Sequence, residues 1–391
     1  MFSTRTQWNL TPNSLAVRLA ERRRAGLPIL DLTESNPTRC GLNYPAGDIV
    51  SALTCPQSLM YEPHPKGHPL ARQAIVDYYA ERHIAIDPSQ LILTASTSEA
   101  YSYLFRLLVN PGERVLVPRP SYPLFDFLAT LSDVGLDSYT LTYDQGWRLD
   151  HGSLASILSP LHRAILVVNP NNPTGSFLSQ EDRAFLVETC RRNQLALISD
   201  EVFSDYGYQP NPCRVETLAG DQNILTFSMN GVSKLLGLPQ MKLGWICGSG
   251  PPSLIKEALD RLEIIADTYL SVNTPVQVAL PAWLAKRGRF QTPILDRLRA
   301  NREFLLAKMT LSQLCRCLDA EGGWYAVLRV PRTRTEEEWI LELLNQEGVL
   351  VHPGYFFDFV TEGFLVISLL PPAEIFQTAV SRMLARLEAD P

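Results

Sequence analysis

From Leu91 onward the chain repeats one rhythm: a short, almost wholly apolar run, a small polar turn, then a helical stretch. The apolar runs fall at Leu91–Thr94, Val115–Val117, Ala164–Val168, Leu195–Ile198, Ile224–Phe227 and Leu243–Cys247. Runs of this length without polar alternation are strands covered on both faces, and helices between them make the connections parallel crossovers. Glu99–Val109, and Gln180–Arg192 with Ser179 as its cap, supply such helices. The pattern predicts an α/β fold, a mostly parallel sheet between helices. In such sheets ligands bind at the carboxyl ends of the strands.

The two ends of the chain read differently. Residues 11–25 have a helical stripe, with Thr11 as cap and Pro12 in the first position. A short strand at 29–32 then enters the turn Glu34-Ser-Asn-Pro-Thr38. Residues 40–66 are rich in Pro and Gly, and Leu70–His83 is helical. Beyond about residue 250 come helical stretches at 253–266 and 292–310 and strands at 324–330, 349–352 and 364–369. Thr335-Glu-Glu-Glu338 is a capping box, and 373–387 a closing amphipathic helix. The expected division is an N-terminal segment, 1–44, joining a smaller α+β domain at 276–391, with a large domain at 45–275.

Composition narrows the function. The net charge of −6 argues against a general nucleic-acid binder. Seven scattered cysteines without a CxxC pair fit a reducing, cytoplasmic setting and no structural zinc site. No apolar run is long enough to span a membrane, and the Arg-rich N-terminus lacks the apolar core of a secretory signal.

The turns after the strands hold the chemistry. Lys234 sits between two buried runs, where an ammonium is costly unless paired or neutralised. A Schiff base to pyridoxal phosphate (PLP) neutralises it, with an acid elsewhere for the pyridine nitrogen. A surface loop lysine is the alternative. Ser96-Thr97-Ser98 stands at a strand-to-helix turn that suits a phosphate, or that simply caps the helix. Tyr122, in the rigid loop Pro118–Pro123, either stacks on a planar ring or packs at the surface. Asn172 lies in the Asn169-Pro-Asn-Asn-Pro-Thr-Gly175 turn and could donate to a phenolic oxygen. Asp200, just past a buried strand, either holds a pyridinium N–H or caps a helix.

In this order, with Asn-Asn-Pro-Thr-Gly and Ser-Lys followed by Gly-Leu-Pro, the chain resembles the class I/II aminotransferases of PLP fold type I, related to aspartate aminotransferase. The resemblance extends over nearly the whole chain, from Asp31–Pro37 through Tyr61–Arg72, Leu93–Ala100 and Pro111–Pro118 to Trp245. It implies a seven-stranded, mostly parallel large-domain sheet and a homodimer with composite sites. Lys234 would form the Schiff base and shuttle the α-proton. Asp200 would keep the pyridine nitrogen protonated, Asn172 contact the ring O3′, and Tyr122 stack on the ring. Thr97, Ser98 and Lys242 would hold the phosphate, with Tyr61 reaching the neighbouring subunit's phosphate. No metal is implied.

Four positions depart from the family pattern. Gly231 stands for a phosphate-binding Ser, Lys242 for an Arg, and Phe203, beside O3′, for a Tyr. Val366 occupies the place of the arginine that grips the substrate α-carboxylate. Either another cation replaces it, with Arg39 the candidate, or the substrate lacks a free α-carboxylate. The leading expectation is an aminotransferase acting on an amino donor and a 2-oxo acid. A PLP lyase, decarboxylase or cyclase is the second reading, and a non-catalytic PLP-fold binder the third. Regulators of that kind carry a DNA-binding domain, for which no room is expected before residue 11.

Overall fold

The computed structural model describes residues 1–389. The strand–helix rhythm closes into one eight-stranded sheet. In spatial order its strands are Leu91–Thr94, Gly244–Ser249, Thr226–Gly231, Ala196–Asp200, His162–Val168, Arg114–Arg119, Gly135–Tyr143 and Trp147–Leu149. The run from Thr226–Gly231 to Gly135–Tyr143 is parallel throughout. Gly244–Ser249 is antiparallel to both its neighbours, and Trp147–Leu149 returns as a hairpin strand. That three-residue strand takes the sheet from the expected seven to eight. Gly135–Tyr143 had no apolar signature because most of its residues are only half-buried.

Burial explains why the other strands read as continuous apolar runs. Every residue of Leu91–Thr94, Ala196–Asp200, Thr226–Gly231 and Gly244–Ser249 is buried. Alternate residues feed two cores: Val115, Val117, Leu166 and Ile198 enter one, and Leu116, Ile165, Val167 and Leu197 the other. Helices therefore cover both faces, as crossover connections require.

The smaller unit has a four-stranded antiparallel sheet in the order Arg316–Cys317, Tyr325–Arg329, Phe364–Ser368, His352–Pro353. The N-terminal segment joins it through a parallel ladder between Leu30–Asp31 and Val349–Leu350. Leu15, Leu32 and Cys40 pack with Leu298, Trp339 and Phe376 in its core.

Two boundaries differ from expectation. The first long helix is Ser14–Arg24, capped by Asn13, whose side chain accepts from the Ala16 N–H. Thr11 instead closes an earlier turn, its N–H bound to Asn9 Oδ1. The packing does not change at residue 275. Helix Thr274–Ala285 places Val276, Leu280 and Trp283 in a core of the large unit with Trp245 and Leu235. The next helix, Arg287–Met309, gives Phe290 to that core and Ile294, Leu298 and Leu305 to the smaller one. The last two residues of the expected 276–391 domain lie outside the described chain. Among the described residues no helix is long and apolar enough to cross a membrane.

Candidate active site

The parallel strands bring their following turns to one edge of the sheet. After Leu91–Thr94, the Ser96 side chain accepts from the Glu99 N–H at 3.2 Å and starts helix Thr97–Leu108. Capping thus falls to Ser96. Thr97 and Ser98 become the first helical residues, whose N–H groups have no acceptor inside the helix. Such a turn is ready to bind an anion.

Of the asparagines after His162–Val168, two hold the turn itself. Asn169 donates to the Val215 carbonyl at 2.7 Å and accepts from the Leu178 N–H at 2.9 Å. Asn171 Oδ1 accepts from the Thr174 hydroxyl at 2.9 Å. Asn172 is also buried, and its Oδ1 has no partner, as the Asn171 Nδ2 has none. A buried amide left unsatisfied is expensive unless a ligand completes it.

Asp200 ends strand Ala196–Asp200 and is only 7% exposed. Its Oδ2 accepts from the Tyr101 hydroxyl at 2.7 Å and its Oδ1 from the Val202 N–H at 3.2 Å. Burial pushes this carboxyl above the ordinary aspartate range, opposed by the Tyr101 hydroxyl, the Val202 N–H and the Lys234 charge. Tyr122, half-buried, packs edge-on against Phe125. Burial, with the Asp200 and Tyr325 charges adding, pushes its hydroxyl up to about 12.

Lys234 lies on the single turn Val232–Leu235, directly after strand Thr226–Gly231. The Tyr206 hydroxyl donates to its carbonyl at 2.7 Å and pins that turn. The Lys234 Nζ stands 4.9 Å from the Trp324 ring centroid and 5.7 Å from that of Phe203. Burial among these rings lowers its pKa to about 8, against the pull of the Asp200 carboxylate. An amine with that pKa keeps a neutral, nucleophilic fraction near physiological pH, far larger than an ordinary lysine has. Gly237 closes the segment at φ +64°, where a Cβ would stand 2.9 Å from both Tyr44 Oη and Ile294 Cδ1.

The departures have structural counterparts. A side chain at Gly231 would put its Cβ 2.9 Å from the Leu243 carbonyl oxygen and 3.0 Å from the Gly244 Cα, so the paired strands leave no space for serine. Phe203 packs edge-on against Trp324 with centroids 5.3 Å apart. Lys242 is exposed, with φ +51°, at the turn into Gly244–Ser249. Val366 is fully buried against Trp147, Val327 and Phe357. His352 is its neighbour across the strands. Arg39 is exposed at the end of the turn Pro37–Arg39.

Asp200, Lys234, Tyr122 and Phe203 thus share one site, with Thr97, Ser98, Asn172 and Lys242 on turns along the same sheet. Tyr61 is 75% exposed, in the segment before helix Pro69–Ala80. Sequence reasoning missed Tyr101, Trp324 and Tyr206. Tyr101 lies one turn beyond Ser98 on the same helix, a spacing that points it at the next strand ends, but nothing local marks it.

These features fit PLP: a helix N-terminus with unclaimed N–H groups, a buried asparagine in the turn after a strand, an aspartate in a dry site and a lysine of lowered pKa. The chain matches the family Aminotransferase class I and II over residues 48–382 and belongs to it. The family uses PLP, and the protein is an aminotransferase, an enzyme acting on amino acids and 2-oxo acids. It is 29% identical over 383 residues to the glutamate-pyruvate aminotransferase AlaA of Haemophilus influenzae, covering 96% of this chain and 93% of that one. It is 28% identical to the alanine aminotransferase of Mycobacterium tuberculosis, with 92% and 85% covered. Among solved structures, an Escherichia coli aminotransferase superposes with a TM-score of 0.87 at 25% identity, covering 99% and 98%. The Pyrococcus furiosus alanine aminotransferase shares the fold with a TM-score of 0.90 at 23% identity, both chains fully covered.

Proposed function

We propose that this chain binds PLP on Lys234 and transfers amino groups between an amino acid and a 2-oxo acid, working as a cytoplasmic homodimer. The observation that carries the reading is the buried, electrostatically coupled pair of Lys234 and Asp200 on adjacent strand ends. PLP supplies an aldehyde and an electron-accepting ring. Lys234 Nζ, kept partly neutral by burial, is the nucleophile and then the base that carries the substrate α-proton. Asp200 would hold the ring N–H, the Asn172 Nδ2 would donate to O3′ and Tyr122 would cover the ring. The N–H groups and hydroxyls of Thr97 and Ser98, with Lys242, would take the phosphate.

The dimer rests on Tyr61, which stands with Leu59 and Met60 in a strongly exposed apolar segment. A second copy would cover this segment and receive Tyr61 at its phosphate. All seven cysteines are unpaired, in keeping with a reducing compartment. The smaller unit is built from residues 1–44 and the C-terminal part, with packing passing between the units inside helix Arg287–Met309.

Two relatives' names make alanine, glutamate and pyruvate the first substrates to try. Val366 itself offers no cation, so an α-carboxylate must be held by another residue, Arg39 being the candidate, or the donor lacks one. The experiment is a spectrum of the PLP-loaded protein with each donor. Transamination predicts conversion to pyridoxamine phosphate absorbance with one 2-oxo acid formed per site. Release of ammonia or CO2 without that conversion would instead mark a lyase or decarboxylase.

A further inference from the structure

The pair between Tyr101 and Asp200 belongs to no assigned role. Both residues are buried, at 1% and 7% exposure, and joined by a 2.7 Å hydrogen bond. The Tyr101 ring is fixed edge-on against Phe125 at 5.5 Å and beside Phe105 one turn along its helix. Helix Thr97–Leu108, which carries Tyr101, begins with Thr97 and Ser98. One rigid element therefore reaches both the phosphate turn and the aspartate.

We infer that Tyr101 is a positioning residue: its hydroxyl keeps Asp200 ionised and aimed at the PLP ring nitrogen, and its helix fixes that carboxylate relative to the phosphate turn. The inference rests on the PLP reading of the site.

A carboxyl in a dry site tends to protonate, and a protonated aspartate cannot balance a ring N–H. The groups facing Asp200 are the Tyr101 hydroxyl, the Val202 N–H, the Lys234 ammonium and Tyr122. Once its nitrogen is committed to PLP, Lys234 no longer offers Asp200 a free ammonium. The Val202 N–H is the longer bond at 3.2 Å, which leaves Tyr101 as the strong fixed donor. Burial and the adjacent carboxylate drive its own ionisation far above the usual tyrosine value, so it donates throughout the working pH range.

The test is the PLP dissociation constant measured by absorbance titration from pH 5 to 8. Wild type, Tyr101→Phe and Phe105→Leu are compared, so that the titration of PLP itself cancels. Affinity should fall as pH drops through the Asp200 titration. Removing the donor raises that pKa, so in Tyr101→Phe the fall should begin at higher pH. Affinity should also be weaker by roughly 10-fold or more near pH 6.5, the range for losing a hydrogen bond to a charged group. Phe105→Leu loosens the ring's packing but keeps the donor, and should leave the acid limb in place. A difluorotyrosine at position 101 keeps the shape and strengthens the donor, so it should move the limb to lower pH. It decides the matter if Tyr101→Phe fails to fold. An acid limb that stays put in Tyr101→Phe or with difluorotyrosine, or that Phe105→Leu moves equally, overturns the role of Tyr101 alone. Wild-type protein that takes up no PLP overturns the cofactor reading and this inference with it.

Discussion

Two walls meet at Lys234, and they are made differently. The wall from the large sheet is polar: Asp200 with its Tyr101 donor, Asn172 with its unpartnered Oδ1 and the open N-terminus at Thr97 and Ser98. The wall from the smaller unit is apolar or neutral. Trp324 lies against the Lys234 Nζ, and elsewhere in this unit Val366 is packed on Val327, Phe357 and Trp147 of the large sheet. His352 beside it is held down to about 4 by burial, so its ring is uncharged at neutral pH, and its Nδ1 has no partner. The first wall is built from the ends of parallel strands, which few substitutions can move. The second belongs to a separate sheet that touches the large unit through Trp324 on Phe203 and Val366 beside Trp147. On the proposed reading, the residues that make and break bonds lie on the first wall, and Val366, the position tied to carboxylate recognition, lies on the second.

Removing the group between the walls should have the largest effect. Lys234→Ala takes away both nucleophile and proton carrier, and steady-state turnover should fall by at least about 10²–10⁴-fold. PLP should still bind weakly through the polar wall, visible as dialysable absorbance. Retained turnover would put the chemistry elsewhere.

Next is the apolar wall. Val366→Arg places a guanidinium among Trp147, Val327 and Phe357, and should cost about 3–5 kcal/mol, as uncompensated buried charges do. A thermal melt reads it. A stable Val366→Arg variant with raised kcat/KM for glutamate would contradict the apolar-wall account and reveal a carboxylate site there.

The pH behaviour of Lys234 sharpens the contrast. Its pKa of about 8 lies below the ordinary lysine value, so the amine is mostly protonated below pH 8 and mostly neutral above it. The rate at which protein freed of PLP captures it covalently should rise about tenfold per pH unit below pH 8 and level off above. Lys234→Ala should lose the pH-dependent covalent phase. A plateau reached only near pH 10 would mean that burial does not tune this lysine.

The smallest effect concerns Phe203, which joins the two walls through Trp324. A tyrosine there would add a donor beside the ring oxygen, and Phe203→Tyr should lower the pH midpoint of the bound-PLP spectrum by about one unit. An unmoved midpoint would mean position 203 does not face that oxygen.

The polar wall was legible in the sequence because its residues lie in contiguous turns directly after buried runs. Ser96 to Ser98, the asparagine turn, Asp200 and Lys234 each follow a strand, and parallel strands must bring such turns to one edge. Tyr101 was not legible, since its partner is 99 residues away and only tertiary packing joins them. Gly231 could be read as a missing serine, but the crowding by Leu243 and Gly244 that excludes a side chain needs the strand pairing. Gly135–Tyr143 escaped notice because a half-buried strand keeps polar residues. The passage between units inside helix Arg287–Met309 leaves no mark in composition.

The central claim is that Lys234 carries the cofactor between these walls. Reduction of the PLP-treated protein with borohydride, followed by peptide mapping, tests it most directly. The account predicts a single pyridoxyl adduct, on the peptide containing Ser233-Lys234-Leu235. An adduct on any other lysine, or none with PLP in excess, would contradict it.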